Sequence, residues 1–150
     1  MRSNRTLREI AAAFQEHHEI LSEAGIMEKE VLPTELFEYF AGDTPSGDKT
    51  TLDDVLSNRW LLLHEIAEIK HLKIKGHQIS GKLLWDSYED VLEAHLAATS
   101  LELKMALKHN DTQWIKARIK LIPSWLEEPD MPERFRKACE TLLRHYAIDT

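Results

Sequence analysis

The run Trp60-Leu61-Leu62-Leu63-His64-Glu65-Ile66-Ala67-Glu68-Ile69-Lys70-His71 is the feature that most limits what this chain can fold into. Read as a helix, it is apolar on nearly every face except where His64, Glu65 and Glu68 interrupt it. A helix that is apolar all round must be covered on most sides, so the rest of the chain has to wrap around it. The surrounding sequence suits that task. Only five Gly and five Pro occur in 150 residues, and long stretches are rich in Leu, Ala, Glu and Lys, a composition that favours helices over hairpin-joined strands. Splitting 150 residues would leave two pieces near the size at which a core becomes marginal. The expectation is therefore an all-α fold, one domain over residues 1–150, built as a bundle of five or six helices.

Start and stop signals place those helices. Thr6 and Glu9 form a capping box for a first helix that Gly25 stops, with Leu7, Ile10, Ala11, Phe14 and Leu21 facing inward. A short helix is expected from Pro33 to Phe40, ended by Gly42, and residues Gly42 to Thr50 form the most mobile internal loop. The central helix starts after Thr51, carries Asp53 and Asp54 in its first turn, and runs to Lys75 before Gly76. Residues Gly76 to Asp86 fit either a short helix or an extended buried connection. Further helices follow over Ser87 to His109, over Thr112 to Glu127 with a cap at Asp111 and a kink at Pro123, and from a cap at Asp130 to Glu133 onward, burying Phe135, Ala138, Leu142 and Tyr146.

Several function classes are disfavoured by charge and composition. A formal charge of -7 repels phosphate backbones, so no nucleic-acid partner is expected. One basic cluster, Lys70, Lys73, Lys75 and Lys82 with His71 and His77, reads first as a helix end complementing its dipole and second as an anion or nucleotide pocket. Cys139 is the only cysteine, so no intramolecular disulfide forms; among Ala138, Leu142 and Leu143 it reads as a small buried hydrophobe. No secretory signal and no 18-residue apolar window is present, which points to a cytoplasmic protein without a membrane partner.

Chemistry concentrates on the central helix. At about 100° per residue, His64, Glu68 and His71 share an arc of roughly 60°, making a ridge of imidazole, carboxylate and imidazole, while Glu65 projects from the neighbouring face. A second helix offers His95 and Glu102 seven residues apart on one face. If the two ridges meet, His64, Glu68, His71 and His95 supply the nitrogen and oxygen ligands that zinc, manganese or iron accept, with Glu65 or Glu102 handling a proton. His18 is a further possible member and Tyr88 an outer donor. The alternative is that the same groups pair with one another as a buried polar network, in a non-enzymatic interaction protein or homodimer.

Three local patterns bear on this choice. His64-Glu65-Ile66-Ala67-Glu68 resembles the H-E-x-x-H helix of metalloproteases, with Glu68 in place of the second His; the resemblance implies metal at His64 and a base at Glu65. Leu62 to Glu68 also resembles the His-Asp helix of HD-domain phosphohydrolases, with Glu65 where those proteins carry Asp. Glu68-x-x-His71 resembles one of the two E-x-x-H pairs of ferritin-like di-iron proteins. Across the whole chain the texture is similar to small all-helical archaeal proteins to which no activity attaches. The leading expectation from the ligand set is a metal-dependent hydrolase, with a small-molecule substrate as its partner.

Overall fold

A computed structural model describes residues 2–40 and 51–146, without the side chains of 2–5 and 84–85. The Gly42 stop and the loop expected over Gly42 to Thr50 lie outside the described residues. Those described are helical, with no strand among them. In chain order the helices are α1 (Arg2–Glu16), α2 (His18–Glu23), α3 (Pro33–Tyr39), α4 (Leu52–Ser57), α5 (Arg59–Ile74), α6 (Leu83–Asp86), α7 (Tyr88–Lys108), α8 (Thr112–Ile119), α9 (Ile122–Leu126) and α10 (Glu133–His145).

Eight of these have six residues or more, where five or six were expected. Two breaks account for the difference. The first expected helix parts at His17, whose backbone leaves the helical region at φ -103° and ψ 18°. The central one parts at Asn58, extended at φ -133° and ψ 120°, where Oδ1 accepts from the backbone N–H of Trp60 at 2.9 Å and Leu61 at 3.1 Å. That asparagine is the N-cap of α5, satisfying two donors that a helix start leaves orphaned. Thr51 caps α4 as expected, exchanging bonds with Asp54. Thr6 lies inside α1, which already begins at Arg2, so it is not the N-cap expected of it. Pro132 occupies the N-cap position of α10 without a side-chain bond, and the kink expected at Pro123 becomes a break that starts the separate α9.

The predicted stops are sharper. Gly25 (φ +86°) and Gly76 (φ +95°) both take the left-handed conformation, and Asn110 does so after α7 at φ 58°. At each, the next N–H reaches back to the helix: Ile26 to Leu21 O, His77 to Leu72 O, Asp111 to Ala106 O, all within 2.8 to 3.1 Å. This is the six-to-one bond of a Schellman close.

Helix α5 is the axis of the fold. Trp60, Leu62, Leu63, Ile66, Ile69 and Leu72 are all buried, each side chain contributing roughly 1.5–3 kcal/mol when fully removed from water. Its main partner is α7. Side-chain pairs fix their direction: His64 meets Glu102, Glu68 meets His95, His71 lies near Glu93, and Lys75 meets Asp90. Numbers rise on α5 as they fall on α7, so the two helices run antiparallel. α3 packs on α5 and α8 on α7, which brings Tyr39 and Arg118 toward the same layer. No helix of the described residues is long and apolar enough to cross a membrane.

Candidate metal centre

The α5–α7 pairing buries four polar side chains. His64 is 2% exposed, Glu68 5%, and Thr99 and Glu102 are fully covered. Each needs partners, since an unpaired buried polar group costs about 1–3 kcal/mol and a charge more. His64 Nδ1–H donates to Glu102 Oε1 at 2.9 Å. Its other nitrogen, Nε2, lies 3.2 Å from Glu68 Oε2 and 3.2 Å from His95 Nδ1, and those last two atoms are 3.7 Å apart.

These three atoms form a nearly equilateral triangle whose centre is about 2.0 Å from every corner, the length of a zinc–nitrogen or zinc–oxygen bond. Three arms of an ideal tetrahedron with such bonds stand about 3.3 to 3.4 Å apart, and the observed separations bracket that value. His64, Glu68 and His95 could therefore hold one metal ion, with no fourth ligand beside them among the described residues.

A shell of donors and acceptors orients these ligands. Tyr39 O–H donates to Glu68 Oε1 at 2.6 Å, leaving Oε2 to point at the triangle's centre. Glu102 is held by Trp114 Nε1–H at 2.6 Å and by Arg118 through Nε–H at 2.7 Å and Nη2–H at 3.0 Å. The chain Arg118, Glu102, His64 is the carboxylate–histidine arrangement that fixes an imidazole's tautomer for a metal. Thr99 Oγ1–H donates to the His95 carbonyl oxygen at 2.8 Å, and Trp125 packs edge-on against the His95 ring at 4.7 Å.

Electrostatics bind the cluster together. Burial alone pushes His64 down, yet hydrogen bonds to Glu102 and Glu68 outweigh it and raise the group to about 10. Burial pushes Glu68 up, but His64 and His95 hold it well below the ordinary carboxylate range. Glu102 is lowered in the same way, its burial being overcome by His64 and Arg118. Tyr39 is driven far above its ordinary value by burial and by Glu68, so its hydroxyl is always a donor.

The remaining expected residues divide. Glu65 is half-buried and its charge acts on both Tyr39 and His64. Glu102 lies in the cluster, where its oxygens accept four bonds from His64, Trp114 and Arg118. His71 stands apart, one turn beyond Glu68, where the antiparallel register puts it beside Glu93 at 4.0 Å and away from His95. His71 Nε2 is buried with no hydrogen-bond partner among the described residues. His18 is exposed and sits near Glu28 at 3.6 Å. Tyr88 is 38% exposed, and Tyr39 supplies the outer donor expected of it. Trp114 and Arg118 were missed too, although Arg118 falls four residues after Trp114 on one helix face.

The basic cluster is largely neutralised by neighbours. Lys70 bonds Glu30 and the Gly25 carbonyl, Lys73 bonds Glu35 and the Glu30 carbonyl, Lys75 bonds Glu93, and His77 bonds Asp90. Among the described residues a cleft of about 490 Å³ lies between Arg59, Trp60, Asp111 and Trp114, and another of about 220 Å³ beside Lys70 and His71. Neither is lined by His64, Glu68 or His95. Solvent reaches the cluster at His95, whose side chain is 28% exposed. The chain matches no protein-family model, no curated protein and no solved structure. The functional reading therefore rests on the geometry of the site.

Proposed function

We propose that the protein binds one divalent metal ion, zinc in first place, through His64 Nε2, Glu68 Oε2 and His95 Nδ1, and uses it to hydrolyse a small-molecule substrate. The observation that carries this reading is the triangle of 3.2, 3.2 and 3.7 Å. Structural zinc sites usually close four protein ligands, mostly cysteines, around the ion; catalytic ones keep three and leave a position for water. Two imidazoles and one carboxylate favour zinc or iron over magnesium or calcium. Bound there, the ion would lower the pKa of a water molecule to about 7 and polarise a substrate oxygen. Glu65 is the acid assigned to the proton, because Glu102 has its oxygens committed to His64, Trp114 and Arg118. Substrate would approach from the His95 side, where the cluster meets solvent.

A second reading has its own observation. His64 lies between two carboxylates and is raised to about 10, as suits an imidazolium in a buried polar network of an interaction protein or homodimer. The two readings part in a melting experiment on protein stripped by chelator. A metal site with ion at a thousand times its Kd gains about 4 kcal/mol of stability, seen as a large rise in Tm with zinc. A Tm unmoved by zinc, manganese and iron would favour the network. Hydrolysis is tested on a panel of carboxylic esters, amides and phosphate esters: turnover that needs zinc and disappears in His64→Ala supports the enzyme, and its absence over the panel opposes it.

A further inference from the structure

Resting on the metal reading above, we infer that Tyr39 is the residue that decides which metal the site prefers, by holding Glu68 to a single coordinating oxygen. A carboxylate beside a metal can bind through one oxygen or both. With both, it adds a ligand and suits ions that favour five or six partners, such as manganese and iron(II); with one, it suits tetrahedral zinc. In this site the two oxygens of Glu68 have separate duties. Oε2 is a corner of the triangle, 3.2 Å from His64 Nε2 and 3.7 Å from His95 Nδ1. Oε1 accepts the Tyr39 hydroxyl at 2.6 Å.

The clamp is built to stay closed. Tyr39 ends α3, which packs on α5, and its ring meets Phe40 edge-on at 6.4 Å, so its position does not depend on the ion. A tyrosine hydroxyl carries one proton to donate, and the 2.6 Å contact spends it on Glu68 Oε1. Glu68 is 5% exposed, which leaves Oε1 little water to replace a lost donor. Without the hydroxyl, the oxygen's best remaining partner is the ion itself. Tyr39 is thus a positioning residue that acts through Glu68.

The test compares wild type, Tyr39→Phe and Glu102→Gln, each stripped and titrated with zinc and with manganese, and each loaded with cobalt(II) as a visible reporter of coordination number. Partners outside the ligand set are worth 10–100-fold in metal affinity. Tyr39→Phe should lose zinc affinity by about that factor while manganese affinity holds or rises, so that the zinc-to-manganese ratio falls tenfold or more. Its cobalt spectrum should lose the intensity of a four-coordinate ion. Glu102→Gln removes the negative charge beside His64 and leaves the clamp intact; it should weaken both metals alike and keep the four-coordinate spectrum. If Tyr39→Phe keeps the wild-type spectrum and metal ratio, the inference is overturned while the metal site stands. X-ray absorption on the zinc-loaded wild type gives an independent check should the variant fail to fold: a bidentate carboxylate there would overturn the inference, and a single short oxygen from Glu68 is expected. A wild type that binds none of these metals defeats the metal reading and this inference with it.

Discussion

Glu102→Ala is the perturbation whose cost follows most directly from the geometry. The carboxylate is fully buried and accepts from His64 Nδ1, Trp114 Nε1 and two nitrogens of Arg118 at 2.6 to 3.0 Å. Truncation removes the acceptor and leaves every donor in place. Arg118, 13% exposed, becomes a guanidinium with no counter-charge, and breaking a buried pair from one side costs about 3–5 kcal/mol. The stranded indole N–H would add about 1–3 kcal/mol if no water entered, and the space left by the side chain lets one enter, so we set the expected loss at about 3–5 kcal/mol in total. Urea unfolding of metal-free protein measures it as a fall in midpoint at unchanged slope. A double change, Glu102→Leu with Arg118→Met, should recover part of the loss, since apolar groups of similar volume can replace a buried pair. A loss below about 1 kcal/mol for Glu102→Ala would refute the account of Glu102 as a hub, because exposed pairs contribute no more than that.

Three further outcomes are expected. Asn58→Ala should cost about 1 kcal/mol by chemical denaturation, the usual worth of an N-cap, because it strands the Trp60 and Leu61 N–H groups; no loss would mean that α4 and α5 do not depend on that cap. Gly76→Ala should cost about 1 kcal/mol from the left-handed backbone alone, since a methyl there meets no atom within 4 Å; a larger loss would expose a clash that the packing does not contain. Asp90 is held below its ordinary value of 3.8 by His77 and Lys75, so the stability it contributes is present above that pH and is lost as the pH falls through the depressed folded value. Asp90→Asn should therefore lower stability at neutral pH, leave it unchanged in strong acid, and make the acid limb of the stability curve less steep; a loss that persists undiminished in strong acid would contradict the sign.

How far the sequence foretold this arrangement depended on the range of the forces involved. Helix ends at Gly25 and Gly76 and the span of α7 were legible because caps and left-handed stops are local chemistry. Asn58 was not, since a polar residue inside a helical pattern reads equally as an exposed position or a cap until its backbone is seen. At the site, the spacing of three, four and seven residues put His64 with Glu68 and His95 with Glu102, and the antiparallel α5–α7 packing joined the ridges. The same packing took His71 out, one turn too far along α5 to meet His95. Tyr39 and Arg118 reach the cluster from α3 and α8, 29 residues from Glu68 and 16 from Glu102. No periodicity within one helix predicts contacts made between helices, and their short polar tips gave no signal of burial.

The most direct test of the central claim is an anomalous-diffraction map at the zinc edge from crystals of chelator-stripped protein reloaded with one equivalent of zinc. A single peak is expected at about 2.0–2.1 Å from His64 Nε2, Glu68 Oε2 and His95 Nδ1, with a non-protein ligand completing the tetrahedron. A map with no peak inside that triangle, and His64 still bonded between Glu102 and Glu68, would contradict the metal centre and leave a buried ion-pair network in its place.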